Sequence, residues 1–284
     1  MDQTARIWNC IGTWRLRDVG ATQHFRQRPE TGCCCGKEPA LAEDNHSNGL
    51  LARVDPDDLA ALSAQFERVD LDQGQFLFHA HEAIEHVYFF LNGLSSEIAG
   101  PRGKEVEVGC VGAEGLSGVP ALLGVDSSPH YAFMQVGGTA LRIRSDALRD
   151  LMDRRPRLRW FLLRFAHVFM MQIAATSLAN GRFNVEQRLA RWLLMSQDRL
   201  GDRLPLTHDF FALMLGVRRP SVTDALHLLE GKRLIQSSRR LVTIRDRAGL
   251  AQLAGASYGM PETEYRRLIS GHSEPSPPLI ETSI

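Results

Sequence analysis

Residues 207–244, THDFFALMLGVRRPSVTDALHLLEGKRLIQSSRRLVTI, read as a helix, a tight turn, a second helix and a short basic hairpin. Thr207 can cap the first helix with its hydroxyl, and Asp209 sets a negative charge in the first turn, where the helix dipole favours it. Phe210, Phe211, Leu213, Met214 and Leu215 supply its apolar side chains. Gly216 stands where a left-handed residue would end the helix and turn the chain. Pro220 falls in the opening turn of the next helix, where a missing N–H is no loss. Val222, Leu226 and Leu229 recur at helical spacing and are expected to face inward. Between them stand Arg218, Arg219, Ser221 and Thr223, side chains able to bond phosphates and base edges from a helix N-terminus in the major groove. After Gly231, two short apolar runs flank Ser237, Ser238, Arg239 and Arg240, which predicts a two-stranded wing with a basic tip. Arg239 and Arg240, with Thr207 and His208 at the start of the first helix, are placed for phosphate contacts. The pattern is a winged helix-turn-helix, and the partner it implies is double-stranded DNA. The plain alternative is an αα-hairpin with surface arginines; the basic hairpin behind it favours the DNA reading.

The charge distribution agrees. The chain holds 33 Lys and Arg against 33 Asp and Glu, but they are segregated. Residues 48–150 carry 7 basic and 15 acidic side chains, a net of −8, whereas residues 182–245 carry 12 and 6, a net of +6. A basic stretch binds polyanions with salt-dependent affinity, and an acidic one stays off DNA. The longest apolar candidate for a membrane span, 160–175, is interrupted by Arg164, His167 and Gln172. Residues 7–14 are too short for a signal-peptide core and are followed by Arg15 and Arg17. The expectation is a cytoplasmic protein without a membrane partner. Five cysteines, Cys10, Cys33, Cys34, Cys35 and Cys110, are an odd number without metal-ligand spacing, so neither a disulfide framework nor a cluster is expected.

A chain of 284 residues is long enough for two cores. Residues 1–47 lack sustained periodicity and read as a disordered extension or as sequence upstream of the true start. Asp55 is placed to cap a helix over 56–62. Short apolar runs at 66–71, 75–79, 86–91, 95–99, 106–110, 132–136 and 140–143 then predict an antiparallel β-sandwich or β-barrel within 48–154, with glycines at its corners. Ser145 is read as the cap of a helix to 154, and Pro156 opens a long helix within 155–181. That helix presents Leu158, Phe161, Leu162, Phe165, Phe169 and Ile173, a broad apolar face that a second copy of the same helix would bury, giving a homodimer. Another helix, 185–200, leads into the DNA module at 182–256, and 257–284 is a tail, disordered from Gly271 onward. The fold class is therefore α+β.

This order of parts, together with particular residues, resembles the Crp/Fnr family of bacterial transcription regulators. Gly74-Gln75-Phe76-Leu77, then Ile84-Glu85-His86-Val87-Tyr88-Phe89 and Gly93, resembles its cyclic-nucleotide-binding-type jelly-roll barrel. The segment VEQRLARWLLMSQD at 185–198 resembles the helix before its DNA module, and Leu215-Gly216-Val217-Arg218-Arg219-Pro220-Ser221-Val222-Thr223 resembles its recognition helix. The likeness covers about residues 48–255. It implies a homodimeric DNA-binding regulator with RNA polymerase as a partner, and it puts Arg219 at the arginine that reads a base, commonly guanine. Pro220 stands where the family often has a glutamate, so one base reader is missing.

The ligand side departs further. Members that bind cyclic nucleotides carry a Gly-Glu pair and, about ten residues later, an arginine for the cyclic phosphate. Here Gly118 is followed by Val119, and Pro129 and His130 stand where the arginine would. Without bidentate charge-assisted bonds, cyclic AMP is not expected to be a tight ligand. Gly118, Val119, Leu122, His130 and Tyr131 are the pocket candidates for an unidentified small-molecule effector. The iron–sulfur cysteine pattern of Fnr is also lacking.

His79 and His81 would share a strand face, as a metal pair needs, but Ala80-His81-Glu82 sits where the family makes a turn. With His86 and His130 they are read as solvated, and no metal or other cofactor is assigned. Glu82, Glu85 and Glu114 lack an accompanying catalytic motif, so no enzyme activity is expected. The rival to a DNA-binding regulator is a ligand- or metal-sensing barrel whose winged module docks proteins. Its module would have no need of such a basic surface.

Overall fold

The computed structural model describes residues 47–101 and 103–271. The expected N-terminal extension, with Cys10 and Cys33 to Cys35, lies outside the described residues except for Ser47, and so does the tail beyond Gly271. Asn48 anchors the first domain: its buried side-chain amide donates to Phe90 O and Gly115 O, and its Oδ1 accepts from Leu50 and Leu51 N–H. Helix α1 (Pro56–Ser63) follows, capped as expected by Asp55 and opened by a proline.

Eight strands then make two antiparallel sheets. One has the order β1 (Glu67–Leu71), β8 (Gly138–Arg144), β3 (His86–Phe90), β6 (Leu116–Ser117); the other β2 (Phe76–Phe78), β7 (Tyr131–Val136), β4 (Leu94–Ala99), β5 (Val106–Val111). The jelly-roll-type barrel is not closed. Between its sheets Phe89, Phe90, Leu116, Met134 and Leu141 are all but inaccessible. Seven strands lie where the apolar runs predict them. β6 and the short helix α2 (Val119–Leu122) have no counterpart in the sequence reading, because two to four residues cannot establish a period. At Gly115 an added methyl would lie 2.3 Å from the Phe165 ring, so the absence of a side chain there lets the barrel touch its helix.

Helix α3 (Ser145–Arg154) starts at Ser145, but this serine is not its cap: the hydroxyl donates to Ile84 O at 2.5 Å and pins the helix to the barrel. The long helix α4 (Pro156–Arg182) corrects a second expectation. Leu158, Leu162, Phe165 and Phe169 are buried in the barrel's own core, and Phe161 and Ile173 pack against its edge. The face expected to pair two copies is therefore used within one chain. Outside stand Trp160, Met170 and Leu178, 64%, 46% and 49% exposed. By length and composition α4 is long and apolar enough to cross a membrane, against the sequence reading; in the fold the barrel uses that apolarity.

Two residues, Phe183 and Asn184, separate α4 from α5 (Val185–Leu200), which opens with a reciprocal Asn184–Gln187 capping box. α5 supplies Leu189, Trp192, Leu193 and Leu194 to a second core. That core also takes Leu94 and Cys110 from the barrel, so the two domains are packed together. After α6 (His208–Leu215), α7 (Arg219–Gly231) and α8 (Arg247–Ala254), the chain does not trail off at 257. Helix α9 (Met260–Tyr265) and a π-helical turn (Arg266–Ser270) pack on α4, and Ile269, 5% exposed, enters the barrel core.

Candidate nucleic-acid interface

The two helices of the motif are α6 (His208–Leu215) and α7 (Arg219–Gly231). Thr207 accepts from Phe210 N–H at 3.3 Å and so caps α6. Gly216 ends it at φ 59°, ψ 34°, the left-handed region where glycine is least strained, and Val217 N–H returns to Ala212 O at 3.1 Å. Phe211, Met214 and Leu215 of α6 and Val222, Ala225, Leu226 and Leu229 of α7 are buried together. This burial fixes which edge of α7 faces outward. Arg218, Arg219 and Ser221 lie on that edge and are exposed.

Arg219 is held by a partner that the sequence reading did not single out. Its Nε lies 3.2 Å from Asp209 Oδ1 on α6. Thr223 is half-buried and partly engaged: its hydroxyl meets Arg219 O at 3.2 Å and His208 Nδ1 at 3.2 Å. Burial, and then the Arg219 charge, push the His208 imidazole below its ordinary pKa.

The wing is β10 (Ile235–Ser238) and β11 (Leu241–Ile244), joined by the two-residue turn Arg239–Arg240, both exposed. Arg240, the second residue of that turn, adopts φ 60°. Glu230 on α7 accepts from Ser237 N–H at 2.6 Å and sets the wing's angle to the helix. A third strand, β9 (Arg203–Leu204), pairs with β11 and escaped the sequence reading because it is two residues long. The structure thus gathers Thr207, His208, Arg218, Arg219, Ser221 and Thr223 at one helix pair and sets Arg239 and Arg240 at the wing tip.

The five pocket candidates have different surroundings. Gly118, with φ 101°, opens α2, and α2 buries Val119 and Leu122 in the barrel core. On β7, alternation sends Ala132 and Met134 inward, whereas the Tyr131 ring lies tilted against Phe76 with ring centroids 5.6 Å apart. His130 Nδ1 lies 3.2 Å from Glu97 Oε1, and this hydrogen bond raises the His130 pKa against the opposing effect of burial. A cavity of about 240 Å³ lies elsewhere, between the barrel, α4, α5 and the C-terminal segment.

The other histidines do not form a constellation. His79 stacks on Phe76, and His81, at φ 65°, sits in a turn, so the two do not share a strand face. Among the described residues no three metal-binding side chains cluster. Glu114 is paired with Arg199 at 2.7 Å. Glu107 on β5 is different: it is 1% exposed and neither oxygen has a partner, while the neighbouring Ser96 hydroxyl donates to Gln135. Burial holds its carboxyl well above the ordinary pKa, opposed by Ser96, Arg199 and Arg191.

The family model of the Crp-like helix-turn-helix domain matches residues 187–253, and that of the cyclic nucleotide-binding domain matches residues 68–155. A CRP-like cAMP-activated global transcriptional regulator of Mycobacterium tuberculosis is 27% identical over 218 residues, covering 72% of this chain and 96% of its own length. Two solved structures share the fold. A Crp/Fnr-family transcriptional regulator from Eubacterium rectale has a TM-score of 0.58 at 15% identity, covering 74% of this chain and 99% of its own. The c-di-GMP-responsive global regulator CLP of Xanthomonas campestris has 0.57 at 16% identity, covering 67% and 99%. The sensor-type barrel, the long helix and the winged module carry both domain signatures in this order, and the chain belongs to the Crp/Fnr family of DNA-binding transcription regulators.

Proposed function

We propose that the protein works in the cytoplasm as a homodimer that reads an inverted-repeat operator and regulates transcription with RNA polymerase. The observation that carries this reading is the exposed row Arg218, Arg219 and Ser221 at the start of α7, backed by Arg239 and Arg240 on the wing. Each protomer sets α7 into the major groove of one half-site, and two-fold symmetry makes the operator palindromic. Trp160, Met170 and Leu178 support pairing through the outer face of α4, the side the barrel leaves uncovered.

The barrel receives a signal other than cyclic AMP, although the Mycobacterium tuberculosis relative is named as cAMP-activated. Val119 is buried in the core where a carboxylate would hold the ribose, and His130 is engaged with Glu97 where an arginine would hold the phosphate. Titration calorimetry with cyclic AMP should give no saturable heat at micromolar ligand.

Selection from a random DNA pool at physiological salt, without added ligand, tests the main reading. Enrichment of an inverted repeat supports it. Retention of no sequence, with binding that ignores salt, would sink it.

A further inference from the structure

The DNA module is covalently tied to the barrel through α4 by Phe183 and Asn184 alone. A body held at one short joint swivels, and joints of this kind absorb large backbone changes. Here the chain makes a second attachment. Beyond α8 it leaves the module and returns to the first domain. On the module side Tyr258 OH donates to Asp198 Oδ2 at 2.7 Å and accepts from Arg247 at 2.8 Å. On the barrel side Tyr265 OH donates to Glu114 O at 2.7 Å, and on α4 His167 Nε2 lies 3.2 Å from Glu264 Oε1. Ile269 then plugs the barrel core. The module is thus held to the first domain at two points.

The arrangement that is pinned disfavours DNA. α6 packs on β5, Phe210 of α6 stacks on Phe133 of β7, and a methyl at Gly216 would touch Val106 at 3.4 Å. The turn that precedes Arg218 therefore lies against the acidic domain, whose net charge over 48–150 is −8. Phosphates approaching α7 from that side meet like charge. The second attachment is also built to open. It spans the cavity of about 240 Å³, walled by Phe165, Val168, Tyr258, Pro261, Tyr265 and Arg266, so part of its underside is not packed. Its hold combines four hydrogen-bonded or charged contacts with the buried Pro261 and Ile269 and the half-buried Tyr265 and Leu268.

We propose that residues 258–270 are an intramolecular latch that holds the DNA module against the sensor barrel and keeps DNA affinity low until it is released. The proposal rests on the DNA-binding reading above, and the test separates the two. The double variant Tyr258→Phe/Tyr265→Phe removes the hydroxyl contacts and keeps the rings; Ile269→Asp is a stronger release, and the conservative pair decides if that variant fails to fold. Hydrogen exchange is measured over 258–270, β5 and α6 without DNA, and affinity for a selected duplex at fixed salt. The latch predicts faster exchange in the segment and at the β5–α6 contact, with DNA binding at least about fivefold tighter. Faster exchange of the segment with DNA affinity unchanged or weaker overturns it. If neither parent nor variants bind DNA, the DNA reading fails, and exchange at β5 and α6 decides the latch: faster supports it, unchanged overturns it.

Discussion

Arg219, at the start of the recognition helix, is steadied by Asp209 on the helix before it, with 3.2 Å between Nε and Oδ1. Both side chains are more than half exposed, so the pair is weak, and it can orient the guanidinium without withholding it. Arg219→Ala should cost about 1–3 kcal/mol on the selected operator and relax base choice at one position. Asp209→Asn should leave base choice intact and tighten binding to bulk DNA, because it removes a negative charge beside the phosphates. Fluorescence anisotropy at fixed salt on matched and mismatched duplexes checks both; equal affinities for parent and Arg219→Ala would remove Arg219 from the readout.

The two sides of α4 should answer to substitution in different ways. Trp160→Glu or Leu178→Glu changes the outer face and should give monomers in analytical ultracentrifugation with the protomer fold intact. Leu162→Ala opens a hole in the barrel core and should lower stability by about 2–5 kcal/mol in urea unfolding without targeting assembly. A dimer that survives Trp160→Glu and Leu178→Glu together would place the pairing surface elsewhere.

Glu107 makes stability fall as pH rises. Its native pKa is raised, so the folded state holds the proton more tightly than the unfolded one. That advantage is present below the ordinary carboxylate pKa and is lost as pH rises toward the native value. Glu107→Gln carries no such dependence. It should gain stability on the parent as pH rises to neutral, because the parent must take up a proton to keep its carboxyl buried, and the difference should shrink below about pH 4.5. Thermal melts across pH 4 to 8 would show the curves converging in acid; parallel curves would contradict this.

His130 behaves in the opposite sense to a depressed carboxylate. Glu97 raises its native pKa, so the contact contributes most at pH values below the unfolded histidine value of about 6.5 and fades as pH rises through the native one. His130→Gln should therefore destabilise the barrel at pH 6 and matter less at pH 8. A difference that does not change with pH would mean that the ring serves only for packing.

What the sequence revealed follows the range of the interactions concerned. Thr207, Gly216 and Pro220 act on their immediate neighbours, so the helix-turn-helix and its outward edge were readable from them. α4 is apolar over most of its circumference, so periodicity marked a helix but could not say which side met the barrel and which was left for another copy. The surroundings of the pocket candidates were hidden for a related reason: neighbours on a strand point to opposite faces, and α2 places Val119 and Leu122 in the core. Residues 257–270 carry a few scattered apolar side chains, and their helix depends on tertiary packing, which no local signal announces.

Ile269 shares a core with Leu50 and Leu51, near the other end of the described chain. A polypeptide made from its N-terminus would therefore emerge with an unfinished first domain. The winged module, translated in between, has almost its whole core in hand before that gap is filled. Domains usually fold in the order of their synthesis. Here the barrel starts first and is completed last, so a nascent chain stalled before Ile269 would carry a nearly finished DNA reader beside a barrel still missing its final core side chain.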